Sequence, residues 1–157
     1  MKVKLICVGK NSNNFIHEGI KEYTNRISKY LSFEIIYTKT ITKVKSSDIK
    51  MFKKHESEII LTYVKTDDFI ILLDDKGKQY TSIEFSSFLN TRLVSGIKNL
   101  VFIIGGAYGF SDELIKLSNE KVSLSKMTFT HQLVRIIFLE QFYRALTILK
   151  NEPYHNE

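Results

Sequence analysis

The stretch that decides the fold is Leu100-Val-Phe-Ile-Ile-Gly-Gly-Ala-Tyr-Gly-Phe-Ser-Asp-Glu-Leu114. Residues 101–104 form a continuous apolar run, which is typical of a strand buried on both faces of a sheet. The run ends in Gly105, Gly106 and Gly109, which lack a Cβ atom, so the backbone can take positive φ and a ligand can approach it. A serine follows as a predicted helix N-cap. The stretch therefore predicts a strand, a glycine loop and a helix.

The same alternation of strands and helices extends along the rest of the chain. Strands are predicted over residues 3–8, 33–38, 69–73 and 101–104, with a short strand near 121. Helices are predicted over about 14–30, from Asp48 to about Tyr63, from Thr81 to Gly96, after Ser111, and from about His131 to Lys150. The segment 74–77 is predicted to close the third strand, and 39–47 is predicted to be a loop. The fold class is therefore α/β, with a mostly parallel sheet flanked by helices, in a single domain over residues 1–157.

Composition narrows the classes of protein that this chain can belong to. With 157 residues, 43% hydrophobic and 25% charged, it can bury a full core, which excludes disordered and fibrous classes. No apolar run could span a bilayer and no signal peptide begins the chain, so we expect a cytoplasmic protein that does not bind membranes. The single Cys7 lies inside an apolar strand and is predicted to be a buried hydrophobe, with no metal site indicated.

A net charge of +6 is compatible with a polyanionic partner without requiring one. Lysines gather between the second strand and the following helix, and such a group is either a solvated face or a contact to nucleic-acid phosphate. Its members are Lys43, Lys45, Lys50, Lys53 and Lys54.

Two loops are candidate ligand sites, and spacing alone leaves both open. The glycine loop has neither the dinucleotide-binding spacing nor the lysine of a phosphate-binding loop, so it is either a plain turn or a ligand loop. Residues 124–129 either hold an adenine ring through backbone groups or lead into a helix capped by Thr128 or Thr130. If the sheet is parallel, both loops lie at the edge where α/β sheets bind ligands.

The last helix and the tail after it carry the remaining polar candidates. At 100° per residue, His131 and Arg135 share one helix face. Glu140 and Arg144 are spaced for an ion pair, and we expect that pair to be structural or interfacial. This helix is apolar over so much of its circumference that we expect it to form a subunit interface as well as the core. The tail 152–157 can stack on a base or move a proton, or it can be a disordered end.

Four segments in combination resemble the bacterial large-subunit ribosomal RNA pseudouridine N3-methyltransferases, a branch of the SPOUT superfamily. They are residues 104–109, 124–135, 140–145 and 153–155, and the likeness extends over essentially the whole chain. The resemblance implies a homodimer, a C-terminal trefoil knot and S-adenosylmethionine as the cofactor. The implied substrate is a pseudouridine in a 23S ribosomal RNA hairpin at the subunit interface of the assembled ribosome.

The resemblance also assigns site residues. Cofactor contacts fall on Leu73, Gly105, Leu124, Ser125, Lys126, Met127, Thr128 and Phe129. Two positions depart from the family pattern. Thr130 stands where relatives often have proline, which predicts a looser helix start. Asn156 follows His155 where some relatives have a basic residue, which weakens any contact between the tail and RNA phosphate.

The predicted chemistry is methyl transfer to an imide nitrogen, which has to lose its proton. We hypothesise that Arg135 or the tail stabilises the developing anion of the base, and that His131, Tyr154 or His155 positions the base or relays the proton. One alternative is a ribosome-associated RNA-binding dimer without catalysis. Another is an enzyme that binds a different nucleotide cofactor on a flavodoxin-like sheet.

Overall fold

A computed structural model of the chain describes residues 1–11, 13–41 and 48–156. Within these ranges, strands and helices alternate as the sequence predicts. The strands are β1 (Lys2–Val8), β2 (Ser32–Thr38), β3 (Phe69–Gln79), β4 (Asn99–Ile104) and β5 (Glu120–Ser123). The helices are α1 (Asn14–Ile27), α2 (Ile49–Leu61), α3 (Ser82–Val94), α4 (Asp112–Leu117) and α5 (Leu133–Leu149). None of these helices is long and apolar enough to cross a membrane.

The strands form one sheet in the order β2-β1-β4-β3-β5, and every neighbouring pair is parallel. The predicted α/β class with a largely parallel sheet is confirmed. A flavodoxin-like sheet has the order 2-1-3-4-5, whereas here β4 lies between β1 and β3, so the flavodoxin-like alternative is wrong. The trefoil knot concerns how the chain threads, which strand order alone does not fix. The knot and the single-domain boundary both stay predictions.

Apolar side chains cover both faces of the sheet. Along β1, Leu5 and Cys7 face a core shared with α1, α3 and α5, whereas Ile6 and Val8 face a second core shared with α2 and α4. This two-sided burial explains why the strands are continuous apolar runs. Cys7 is fully buried, and burial raises the pKa of its thiol to about 12, so it is the inert hydrophobe that the sequence predicts.

Capping residues and glycines in the sequence predict helix ends that the structure confirms. Thr81 and Glu84 form the predicted capping box at the start of α3, and Gly96 follows that helix with φ of +79°. Ser111 accepts the Leu114 amide at the start of α4, as predicted. Helix α1 ends at Ile27, before the predicted end near residue 30, and turns complete that segment.

The prediction that residues 74–77 close the third strand is wrong. Strand β3 continues to Gln79, and its pairing with β5 jumps from Leu73 to Lys78, both opposite Val122. A Cβ atom on Gly77 would lie 2.6 Å from the Val122 backbone, so only glycine allows the two strands to approach this closely. The residues between Leu73 and Lys78 bulge out of the ladder.

Part of the predicted loop over residues 39–47, including Lys43 and Lys45, lies outside the described residues. Lys50, Lys53 and Lys54 lie on α2, where Lys50 and Lys54 are exposed and Lys53 is partly buried.

Candidate functional site

Three loops meet in one cavity because β4, β3 and β5 are neighbours and run in the same direction. Their carboxyl ends lie at one sheet edge, where α/β proteins bind ligands. The cavity has a volume of about 750 Å³, within the range of small-molecule sites. Its lining includes Leu73, Gly105, Leu124, Ser125, Met127, Thr128, Phe129 and His131. Of the predicted cofactor contacts, only Lys126 does not line the cavity, and its side chain is exposed.

The glycine loop, residues 105–109, needs its glycines for two different reasons. Gly109 has φ of +73°, whereas Gly105 and Gly106 do not adopt positive φ, so the expectation of positive φ holds for one glycine of three. At Gly105 an added Cβ would lie 2.9 Å from the Phe110 ring, and at Gly106 it would lie 2.4 Å from Oε1 of Glu56. Close packing, rather than backbone conformation, therefore requires the first two glycines.

The bend over residues 124–129 exposes backbone groups to the cavity. Ser125 stabilises the bend, because its hydroxyl accepts the Met127 amide at 2.9 Å and its carbonyl accepts the Ser123 hydroxyl at 2.9 Å. Among the residues that the structure describes, 126–129 make no backbone-to-backbone hydrogen bond outside helices and strands. The Met127 amide is taken by Ser125, whereas the other amides and the carbonyls of 126–129 are available to a ligand, as a ring recognised by backbone groups would need.

Charged side chains on the cavity wall were not identified from the sequence. Asp74 and Asp75 come from the bulge in β3, and Lys53, Lys76 and Lys121 add positive charge. The Asp74 carboxylate accepts the Lys76 amide at 3.0 Å, which fixes the turn of the bulge. Two aspartates directly after an apolar strand were the available signal, although their sequence is typical of a turn. The cavity therefore presents both signs of charge.

His131 lies at the cavity but precedes α5, so the prediction that it shares a helix face with Arg135 is wrong. His131 is exposed, yet desolvation by the surrounding protein, together with the charge of Arg135, lowers the pKa of the imidazole below its ordinary value. The looser helix start at Thr130 stays a prediction. The Thr130 hydroxyl accepts the Leu133 amide at 3.3 Å and its carbonyl accepts the Val134 amide at 3.1 Å, so this threonine is bonded to the first turn of α5.

Arg135 lies away from the cavity, with no exposed surface. Its guanidinium donates to the Val8 carbonyl at 2.6 Å and to the Asn11 side chain at 2.5 Å, and it lies over the Tyr37 ring. Its Nε is buried without a partner among the described residues. A side chain enclosed in this way cannot touch a base that arrives from solvent, so the chain as described does not support direct contact between Arg135 and the base. Arg135 instead fixes α5 to the end of β1.

Residues 152–156 of the tail lie against α5 rather than against the cavity of their own chain. Tyr154 donates to Oε1 of Glu140 at 3.2 Å, and its ring contacts Tyr143 with 4.8 Å between centroids. His155 Nδ1 lies 3.3 Å from Arg144, which also forms the predicted ion pair with Glu140 at 2.6 Å. The predicted catalytic residues therefore fall into three places: His131 at the cavity, Arg135 in the core, and the tail on a third surface.

An all-parallel α/β sheet with a cavity built from backbone-rich loops at its carboxyl edge is the architecture of an enzyme that binds a nucleotide-like cofactor. Comparison with known proteins identifies the family of enzymes to which the chain belongs. Residues 1–155 match the family model described as predicted SPOUT methyltransferase. The chain belongs to the SPOUT methyltransferase family, and the prediction of a methyltransferase with S-adenosylmethionine as its cofactor agrees with that assignment.

Relatives match along their whole length. A protein of Christiangramia forsetii is 47% identical over 156 residues, covering 99% of each chain. One of Parabacteroides distasonis is 47% identical over 157 residues, covering 100% of each. Both are named ribosomal RNA large subunit methyltransferase H. A solved structure from Legionella pneumophila, in complex with bound SAM, aligns with a TM-score of 0.45 and 14% identity over 95% of this chain and 66% of that chain.

Proposed function

We propose that the chain transfers a methyl group from S-adenosylmethionine to N3 of a pseudouridine in 23S ribosomal RNA of the assembled ribosome. The observation that carries the proposal is the meeting of the three loops after β3, β4 and β5 in one cavity. The substrate class rests on the relatives, which share about half of the sequence over its full length and are named for large-subunit RNA methylation. A ribosomal substrate supports a cytoplasmic location for the reaction.

The volume of the cavity and the chemistry of its lining suit S-adenosylmethionine. This cofactor combines a flat adenine, a ribose, a sulfonium cation and a zwitterionic amino acid. The bend 126–129 offers backbone partners for an adenine edge, and Ile104 and Leu124 offer apolar walls. Asp74 carries charge that suits a cation, while Lys53 carries charge that suits a carboxylate. The adenine, the cation and the carboxylate of the cofactor therefore each have a chemically matched group on the lining.

The cofactor supplies its own electrophile, so the protein has to position the base and help N3 lose its proton. In the reaction the carbon–sulfur bond breaks, its electron pair stays on sulfur, and the N3–methyl bond forms as the N3 proton leaves. His131 lines the cavity, and its lowered pKa keeps the imidazole neutral and able to accept that proton near pH 7. Burial raises the pKa of Tyr154, so its phenol stays protonated, and it would have to leave Glu140 to donate to the base.

We further propose a homodimer in which the tail of one subunit completes the cavity of the other. Val134 lines the cavity, whereas Glu140 and Arg144 hold the tail six to ten residues further along α5, at roughly 9–15 Å of helix rise. Residues 152–156 do not line the cavity of their own chain. Met127 and Phe129 of the cavity lining are 75% and 38% exposed, and Leu133 next to them in the chain is 38% exposed, so this rim offers an apolar surface suited to a second copy.

Methyl transfer to ribosomes tests the proposal directly. The protein is incubated with labelled S-adenosylmethionine and ribosomes that lack the modification, and the labelled nucleotide is identified by nuclease digestion and mass spectrometry. We expect label on N3 of a pseudouridine in 23S RNA, and more of it in assembled ribosomes than in isolated RNA. Calorimetry with S-adenosylmethionine, a nicotinamide cofactor and a flavin is run in parallel.

The outcomes separate the candidate functions. Cofactor binding without methyl transfer to any ribosomal substrate would favour the ribosome-associated binding protein. Label on another nucleotide would support methyl transfer to ribosomal RNA and would show that the proposed target nucleotide is wrong. Absence of S-adenosylmethionine binding, or preference for a nicotinamide or flavin, would refute the proposal.

A further inference from the structure

Glu56 is a buried carboxylate on α2 that lies behind the glycine loop. Only 4% of the residue is exposed, and its Oε2 accepts the Gly106 amide at 3.1 Å. Burial raises the pKa of the carboxyl group, while the hydrogen bond from Gly106 opposes that rise. Glu56 does not itself line the cavity, whereas Gly105 and Gly106 do. A carboxyl group is costly to bury, and among the described residues its one hydrogen-bond partner is a peptide of the candidate cofactor loop.

Gly106 leaves room for this carboxyl group because it has no side chain. An added Cβ would lie 2.4 Å from Oε1 and 2.9 Å from the carboxyl carbon of Glu56. The carboxyl group therefore fills the space that a side chain at position 106 would occupy. One helical turn earlier, Phe52 makes an edge-on contact with Tyr108, with 5.2 Å between ring centroids. Residues four apart share a helix face, so one face of α2 holds the loop at two points.

The geometry of the peptide bond determines which way the Gly105 carbonyl points. The Gly106 N–H and the Gly105 C=O belong to the same peptide unit, and in a planar trans peptide they point in opposite directions. No peptide bond among the described residues is cis. Because the N–H points to Glu56 on α2, the Gly105 carbonyl points away from that contact.

We propose that Glu56 is a positioning residue that orients the Gly105–Gly106 peptide, so that the Gly105 carbonyl faces the cavity as a hydrogen-bond acceptor for the cofactor. This inference rests on the proposed function and adds a residue outside the cavity to the cofactor site. The groups that such a carbonyl recognises are an amino group or a ribose hydroxyl. Glu56 acts through the peptide and does not touch the substrate or the cofactor.

Substitutions at Glu56 test the inference through cofactor affinity. We expect Glu56→Ala to weaken S-adenosylmethionine binding roughly tenfold or more, the effect of removing a hydrogen bond to a charged or buried partner. Glu56→Gln retains an acceptor of the same size, and we expect affinity within a few fold of the original. In ribosome methylation, Glu56→Ala should raise KM for S-adenosylmethionine while kcat at saturation stays near the original value. Glu58→Ala, an exposed position two residues away, is the matched control and should change neither constant.

A double substitution establishes that Glu56 acts through the loop. Gly106→Ala alone should weaken cofactor binding, because its methyl group displaces the carboxyl group. Adding Glu56→Ala to it should cause little further loss, since both changes break the same contact. Fully additive losses would overturn the inference, as would normal affinity in Glu56→Ala. If circular dichroism shows that Glu56→Ala does not fold, cofactor affinity is measured in Glu56→Gln and Gly106→Ala instead. Normal affinity in Gly106→Ala would then overturn the inference. Absence of binding in the unaltered protein would instead overturn the proposed function.

Discussion

A methyl group added at Gly105 has no room, because its Cβ would lie 2.9 Å from the Phe110 ring and at the wall of the cavity. We expect Gly105→Ala to lower the free energy of unfolding by about 1–3 kcal/mol through overpacking and to weaken S-adenosylmethionine binding. Denaturant unfolding and calorimetry measure the two effects separately. In the double variant Gly105→Ala/Phe110→Leu, the smaller side chain should restore part of the stability without restoring affinity. Normal affinity in Gly105→Ala would remove this glycine from the cofactor site.

Also at the residue scale, His131 gives the reaction a defined response to pH. Desolvation and the charge of Arg135 lower the pKa of the His131 imidazole from 6.5. The imidazole in the folded protein is therefore protonated only at a lower pH than a free imidazole. If the neutral imidazole accepts the N3 proton, kcat/KM should hold as the pH falls to about 6.5 and decline below it. His131→Gln should lower the rate and abolish that decline. His17→Gln, on the exposed side of α1, is the control. An unchanged acid limb in His131→Gln would exclude His131 as the proton acceptor.

At the scale of elements, the separation between tail and cavity predicts complementation between two inactive variants. One variant, Gly105→Val, has a damaged cavity and an intact tail, and the other ends at Pro153 and has an intact cavity. Each alone should be inactive on ribosomes. In a mixture, a heterodimer has one site in which an intact cavity meets the partner's intact tail, and one site that lacks both. Because random pairing makes about half of the dimers heterodimers, we expect up to about a quarter of full activity. A mixture that stays inactive, although light scattering shows exchanged dimers, would mean that the tail serves its own chain.

The elements themselves follow from local sequence, and their exceptions follow from contacts between distant segments. The apolar run 101–104 is a strand because its side chains suit a surface buried on both faces. The continuation of β3 through Gly77 was not predictable, because its sequence is that of a turn and only the close backbone of β5 reveals the pairing. Glu56 likewise has the sequence context of a solvated helix face, and its burial depends on a glycine 50 residues away. Strand order was not predicted either, since pairing depends on packing across the whole sheet.

For the whole molecule, a net charge of +6 on each chain, doubled in a dimer, predicts that salt weakens ribosome binding. The exposed Lys50 and Lys54 of α2 lie on the same helix as Lys53 of the cavity wall, so they are candidates for phosphate contacts. Each contact adds roughly 0.7–0.9 to the slope of log affinity against log salt.

We therefore expect Lys50→Ala/Lys54→Ala to raise KM for ribosomes and to reduce that slope by about one to two, with the affinity for S-adenosylmethionine unchanged. Lys29→Ala/Lys98→Ala removes the same charge from exposed positions outside the cavity, Lys98 being just before β4 at the opposite sheet edge, and should have a smaller effect. The measurement is ribosome methylation at several potassium concentrations and constant magnesium. Equal effects of the two pairs would mean that net charge alone drives association. A slope that neither pair changes would place the ribosome contact on another surface.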